Sequence, residues 1–202
     1  YLILLLISPL LVSFTEIRAT KKEVSYNHRP AMTSMVKILP YQGGIVFSDG
    51  KRNQSVLTFL TPELEKNYDL VFTRTPIDFY ERNDTLYLAI VGDGVFPNEL
   101  PAGSLQKISK TENIGPYDTA KEIVSGMQRP VQLAFGDLNN DGLEDIVACE
   151  YGDLTGNLVW FENKGRDRYV KKILRAKPGA ITSIIKDVNG DGLQDIVVLM
   201  AQ

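Results

Sequence analysis

From residue 34 onward the chain runs through short apolar and β-branched segments separated by turn residues. Strands are predicted at residues 35–39, 44–47, 56–60, 70–73, 77–80 and 86–91, and helical periodicity is absent from all of them. Turn chemistry is explicit at Ser48-Asp49-Gly50, Arg82-Asn83-Asp84 and Gly92-Asp93-Gly94, where glycine tolerates positive φ and Asx side chains bond to nearby backbone. The segments therefore read as successive antiparallel hairpins. Residues 97–130 are less regular: one strand is expected near 104–108, while 117–127 carries a weak helical pattern. Beyond them the pattern sharpens, with strands predicted at 131–135, 146–150, 158–162, 170–174, 181–185 and 196–200.

Self-similarity turns this list of strands into an architecture. The segment from Phe135 to Val147 returns from Ile185 to Val197, an offset of 50 residues, and eight of the eleven positions from Asp137 to Val147 are identical in the second copy. A period of about 50 residues carrying four short strands matches a β-propeller blade, a unit that buries its faces only when neighbours stack around an axis. The expected fold is all-β, a partial propeller of three to four four-stranded antiparallel blades.

The repeated segment is an acidic loop, D-x-N-x-D-G-L-x-D. Aspartates at loop positions 1, 5 and 9 and asparagine at position 3 place four oxygen-bearing side chains in nine residues, and hard divalent cations take oxygen ligands. The candidate ligands are Asp137, Asn139, Asp141, the Leu143 carbonyl and Asp145 in the first copy, and Asp187, Asn189, Asp191, the Leu193 carbonyl and Asp195 in the second. Gly142 and Gly192 allow the sharp turn that brings these oxygens together, and the Leu143 and Leu193 side chains are expected to point into the core. An EF-hand would place a bidentate glutamate at position 12, where this chain has Ala148 and Val198 inside apolar β-type runs. A dockerin-like module fails on the same positions. Calcium suits a flexible carboxylate and carbonyl loop better than magnesium, so the expected cofactor is Ca2+, two structural sites. The bland alternative is a pair of hydrophilic, Asx-rich β-turns.

Composition adds limits. The chain has 202 residues and 44% apolar content, enough for an ordinary core. Its 22 basic and 25 acidic residues are mixed, for a net charge of -3, which leaves no basic stripe for a phosphate backbone, so nucleic acid is not an expected partner. Cys149 stands alone, without the spacing of a disulfide, zinc or haem motif, and reads as a buried strand residue. Residues 1–14, YLILLLISPLLVSF, form an apolar run shorter than a membrane-spanning helix requires and interrupted by Pro9. The run resembles the apolar core of an export signal whose start lies upstream; the alternative is a membrane anchor. Residues 1–19 are thus read as signal-like and 20–33 as a polar linker. The expected location is exported: periplasmic, cell-surface or extracellular, with membrane contact only through the N-terminal segment if it is uncleaved.

Phe135-Gly136-Asp137 followed by the D-x-N-x-D-G-x-x-D loop resembles the FG-GAP repeat, and the wider unit resembles the VCBS and FG-GAP-like repeats of exported bacterial proteins. The integrin α-subunit propeller uses a similar loop. The segment Asn157 to Gly165, NLVWFENKG, is similar to the middle hairpin of those repeats. Strong resemblance covers residues 129–202, and residues 34–128 are taken by context as degenerate blades. The second copy departs from the name-giving residues, with Ile185-Lys186 in place of Phe135-Gly136. The resemblance implies a calcium-stabilised propeller within a larger exported protein, with loops on one face free for recognition.

No catalytic constellation emerges from the sequence. The only histidine, His28, falls in the linker, and no G-x-S-x-G, Walker or C-x-x-C-H motif is present. Glu150, Asp153 and Glu162 have no partner that marks an acid/base pair. Trp160, Phe161 and Tyr151 read as inter-blade packing rather than a sugar-stacking platform. Asn53-Gln54-Ser55 and Asn83-Asp84-Thr85 are glycosylation sequons only in a host that adds N-glycans. The expected function is a binding or adhesion scaffold for a protein or glycan, not an enzyme. The alternative is an accessory or catalytic propeller of a secreted carbohydrate-active or redox enzyme whose catalytic residues lie outside this sequence.

Overall fold

The computed structural model describes residues 37–41, 43–51, 54–72, 74, 76–83, 85–92, 100–109, 120–152 and 154–201. The signal-like segment, the linker with His28, Asn53, the Asp93 turn and Asp153 lie outside the described residues. Within them the short apolar runs become fourteen strands in four sheets, every neighbouring pair antiparallel. Sheet 1 is β1 (Ile38–Tyr41), β2 (Gly44–Lys51), β3 (Gln54–Leu60) and β4 (Lys66–Phe72). Sheet 2 is β5 (Pro76–Arg82), β6 (Thr85–Ile90), β7 (Gly103–Ser109) and β8 (Lys121–Met127). Sheet 3 is β9 (Pro130–Gly136), β10 (Asp145–Glu150), β11 (Asn157–Asn163) and β12 (Tyr169–Arg175). Sheet 4 is the pair β13 (Ala180–Lys186) and β14 (Asp195–Met200).

In each four-stranded sheet the strands lie in chain order, and the first strands of successive sheets, β1, β5, β9 and β13, are neighbours. Three blades of four strands and one of two thus form a partial β-propeller, as the repeat predicts. The packing follows from period two: successive residues of a strand point to opposite faces, so a strand between two sheets must be apolar on both. Every residue of β10 is buried. Its Ile146 and Ala148 join Leu105, Met127 and Ala89 of sheet 2 in one core, while Val147 and Cys149 join Ala180 and partly buried Ile185, Ile196 and Val198 of sheet 4 in the next. A third core lies between sheets 1 and 2, where Leu57, Phe59 and Phe72 meet Phe79, Leu86 and Leu88.

The weak helical pattern at 117–127 gives way to β8. That strand sits at the outer edge of sheet 2, and its pairing with β7 shifts register twice, between Gly103 and Leu105 and between Leu105 and Gln106. Irregular pairing at an edge breaks the two-residue alternation by which a strand is recognised.

Polar side chains join the innermost strands. Asp78, the third residue of β5, accepts a hydrogen bond from the N–H of Leu133, the fourth residue of β9, at 3.0 Å. Gln132, the third residue of β9, accepts one from the N–H of Ser183, the fourth residue of β13, at 2.8 Å. Both N–H groups lie on strands with one unpaired edge, where an uncapped buried donor would be costly. The Lys37 ammonium pairs with Asp78 and lies 3.4 Å from the centre of the Tyr80 ring. Burial raises the Asp78 carboxyl above its ordinary range, against the pull of Lys37 and the N–H groups of Leu133 and Phe79. Among the described residues no helix is long and apolar enough to cross a membrane.

Candidate metal centre

Each acidic loop connects the first two strands of its sheet, β9 to β10 and β13 to β14. Side-chain oxygens close the loop from within by taking N–H groups that the turn leaves unpaired. In the first copy Asp137 accepts from the N–H of Gly142 at 2.8 Å and of Asp141 at 3.1 Å. Asn139 Oδ1 accepts from the Asp141 N–H at 3.1 Å, and Asp141 Oδ1 from the Leu143 N–H at 2.9 Å. Asp145 Oδ2 accepts from the Leu138 N–H at 3.2 Å.

The second copy repeats this pattern. Asp187 accepts from Gly192 at 2.9 Å and from Gly190 at 2.6 Å, Asn189 from Asp191 at 2.9 Å, Asp191 from Leu193 at 2.8 Å, and Asp195 from Val188 at 3.0 Å. The N–H groups of Gly192 and Gly190 hold the Asp187 carboxyl below its ordinary value. Gly142 and Gly192 both take φ of 83°, the left-handed region in which a Cβ is strained. Position 4 is left-handed as well, at Asn140 (φ 56°) and Gly190 (φ 78°). The sequence carried that signal, since asparagine and glycine are the residues that best tolerate this conformation.

The side chains of Leu143 and Leu193, expected in the core, are instead 38% and 54% exposed. Their N–H groups turn inward onto Asp141 and Asp191, which leaves the side chains facing solvent ahead of the strand. Asp145 differs from the other acids because it is fully buried. Its Oδ1 takes the N–H of Asn163, at the end of β11, at 2.7 Å, so it ties the loop to the middle of the sheet.

A second contact from β11 was not legible in the loop motif. Glu162, 8% exposed, accepts from Asn139 Nδ2 at 3.1 Å. Lys164 and Lys172 pair with its other oxygen at 2.8 and 3.2 Å. These partners, Lys164 foremost, hold the Glu162 carboxyl down to about 2 against the upward push of burial. Lys172 also lies 4.0 Å from the centre of the Trp160 ring, whose buried indole nitrogen has no hydrogen-bond partner among the described residues. Phe161 is core, as expected of a strand aromatic. Glu150 is buried against Lys171 at 3.0 Å and Asn157 at 3.1 Å.

With the oxygens turned onto N–H groups, no three acidic, histidine or cysteine side chains among the described residues are grouped as a ready-made metal shell. What the loops share is the same oxygen-bearing side chains at matching positions in two copies. The family model of the FG-GAP-like repeat matches residues 137–198, from the first residue of the first loop to β14. This segment is similar to an FG-GAP-like repeat. The FG-GAP-like segment thus spans both acidic loops and the strands β10 to β13 between them. No curated protein and no solved structure matches the chain.

Proposed function

We propose that the two loops of the FG-GAP-like segment each bind one structural calcium ion, and that the clamped blades serve an exported protein as a non-catalytic scaffold for binding or adhesion to a protein or glycan. The observation that carries the reading is the matched geometry of the loops, which repeats the side-chain oxygens at positions 1, 3, 5 and 9 and both left-handed turn positions after 50 residues. The donor chemistry fits the ion. Asp137, Asn139, Asp141, the Leu143 carbonyl and Asp145, with their counterparts from Asp187 to Asp195, offer only hard oxygens, the donors that calcium takes. When bound, the ion would neutralise three carboxylates that otherwise repel one another. FG-GAP-like repeats are typical of extracellular or surface proteins, which supports export.

Thermal melts with and without calcium test the reading. A ligand that binds only the folded state at about 100 times its Kd adds about 2.7 kcal/mol. For a chain of this size that corresponds to a rise in Tm of about 5–10 °C for one site. An unchanged midpoint at matched ionic strength would sink the structural-calcium reading. Glycan arrays run beside cell-adhesion assays, both in calcium, would separate the two partner classes.

A further inference from the structure

We infer that Glu162 is a positioning residue for the first loop: from β11 it adds a second acceptor that braces the Asn139 amide in its orientation. The inference rests on the calcium reading above. Asn139 uses both ends of its amide. Its nitrogen donates to Asp141 Oδ2 at 2.9 Å and to Glu162 Oε1 at 3.1 Å, while its oxygen faces the loop and takes the Asp141 N–H. Turning the amide over would set its oxygen against two carboxylate oxygens, so these two acceptors determine which end faces inward.

Glu162 is itself held in place. Lys164 and Lys172 engage Oε2, which leaves Oε1 for Asn139. An aspartate at 139, an exposed position, would oppose that oxygen of the buried Glu162 side chain with a like charge. The second loop lacks this constraint among the described residues: Asn189 donates to Asp191 Oδ2 at 3.0 Å, and no neighbouring strand brings a carboxylate to it. The two loops look equivalent in sequence but should respond to different extents to the same substitution. At 189 an aspartate opposes the Asp191 carboxylate alone, whereas at 139 it opposes both Asp141 and Glu162.

The test measures calcium binding by titration calorimetry, isolating the first loop with Asp187→Ala and the second with Asp137→Ala. Melts in chelator verify that each variant folds. Asn139→Asp should weaken the first loop about tenfold, the scale expected for directly contacting charges. Adding Glu162→Gln should recover most of that loss, because a glutamine amide can donate to the new carboxylate. Asn189→Asp, which meets one opposing carboxylate where Asn139→Asp meets two, should weaken the second loop clearly less than tenfold. The inference is overturned if Asn139→Asp and Asn189→Asp shift their loops alike, or if Glu162→Gln gives no recovery while the parent binds calcium normally. Absence of calcium binding by the parent chain overturns the underlying metal reading instead, and this one with it.

Discussion

Asp137 and Asp145 carry the same side chain at the two ends of one loop, yet their surroundings assign them different costs. The N–H groups held by Asp137 belong to exposed residues, so water can replace its oxygens. Asp145 is fully buried and holds the N–H groups of Leu138 and Asn163. Asp145→Ala should therefore cost about 2–4 kcal/mol even in chelator, from two donors left without an acceptor. Asp137→Ala should have little effect in chelator and remove the calcium response of one loop only. Melts of both variants in calcium and in chelator check this, and equal losses in chelator would contradict it. Asp78 makes a pH prediction. Its carboxyl is raised above the ordinary 3.8 mainly by burial. A group that holds its proton more tightly when folded stabilises the fold below its unfolded value and loses that contribution as pH rises through the native value. Asp78→Asn keeps an oxygen for the Leu133 N–H and cannot ionise. Its stability relative to the parent should rise between about pH 3 and pH 7, and a flat difference across that window would refute the assignment. At this scale the repeat revealed the side chains that close each loop onto its own N–H groups, because two copies carry them at the same positions. Glu162 and the Asn163 N–H were not legible, because they approach from a strand some twenty residues away and leave no mark in the spacing of the loop.

Strands were the most legible elements, since a short apolar run bounded by glycine, asparagine and aspartate has few other ways to fold. β8 was the exception, and its register shifts explain why. The exposed leucines of the two loops were misread for a related reason: an apolar residue beside a strand invites a core assignment, whereas here the inward-facing group at position 7 is the backbone N–H. Gly136 shows that packing between elements can dictate a residue. A Cβ built there would lie 2.6 Å from Cγ2 of Ile185 on the next inner strand. Gly136→Ala should destabilise the protein by about 1–3 kcal/mol through overpacking. Adding Ile185→Ala should leave less than the sum of the two single losses, as expected for contacting sites. Strict additivity in a double-mutant cycle of urea melts would argue that the two residues do not share that space. In the second copy the equivalent residue is Lys186, which is exposed.

Across the whole molecule, stability is assembled junction by junction, with a separate apolar core between each pair of sheets. Cys149 lies fully buried at the last of these junctions, where burial also raises its thiol pKa. A thiol in that state reacts only when sheet 4 lifts away from sheet 3. Its labelling rate in the native protein should therefore report that opening, and calcium at the second loop should slow it. A contribution of about 1.4 kcal/mol to the closed state would mean about tenfold slower labelling. Labelling that is fast and indifferent to calcium would rule this out. The side-chain caps between inner strands have a different consequence. Aliphatic faces tolerate sliding, but a hydrogen bond to one edge N–H loses its geometry within a few tenths of an ångström. At two successive junctions the third residue of one inner strand caps the fourth residue of the next. Sheets 2 and 3 thereby each hand their height along the axis to the next sheet, and repeating one fixed step suppresses axial drift. A chain governed by that rule winds into a level disc, whereas a variable step would let it climb into an open spiral.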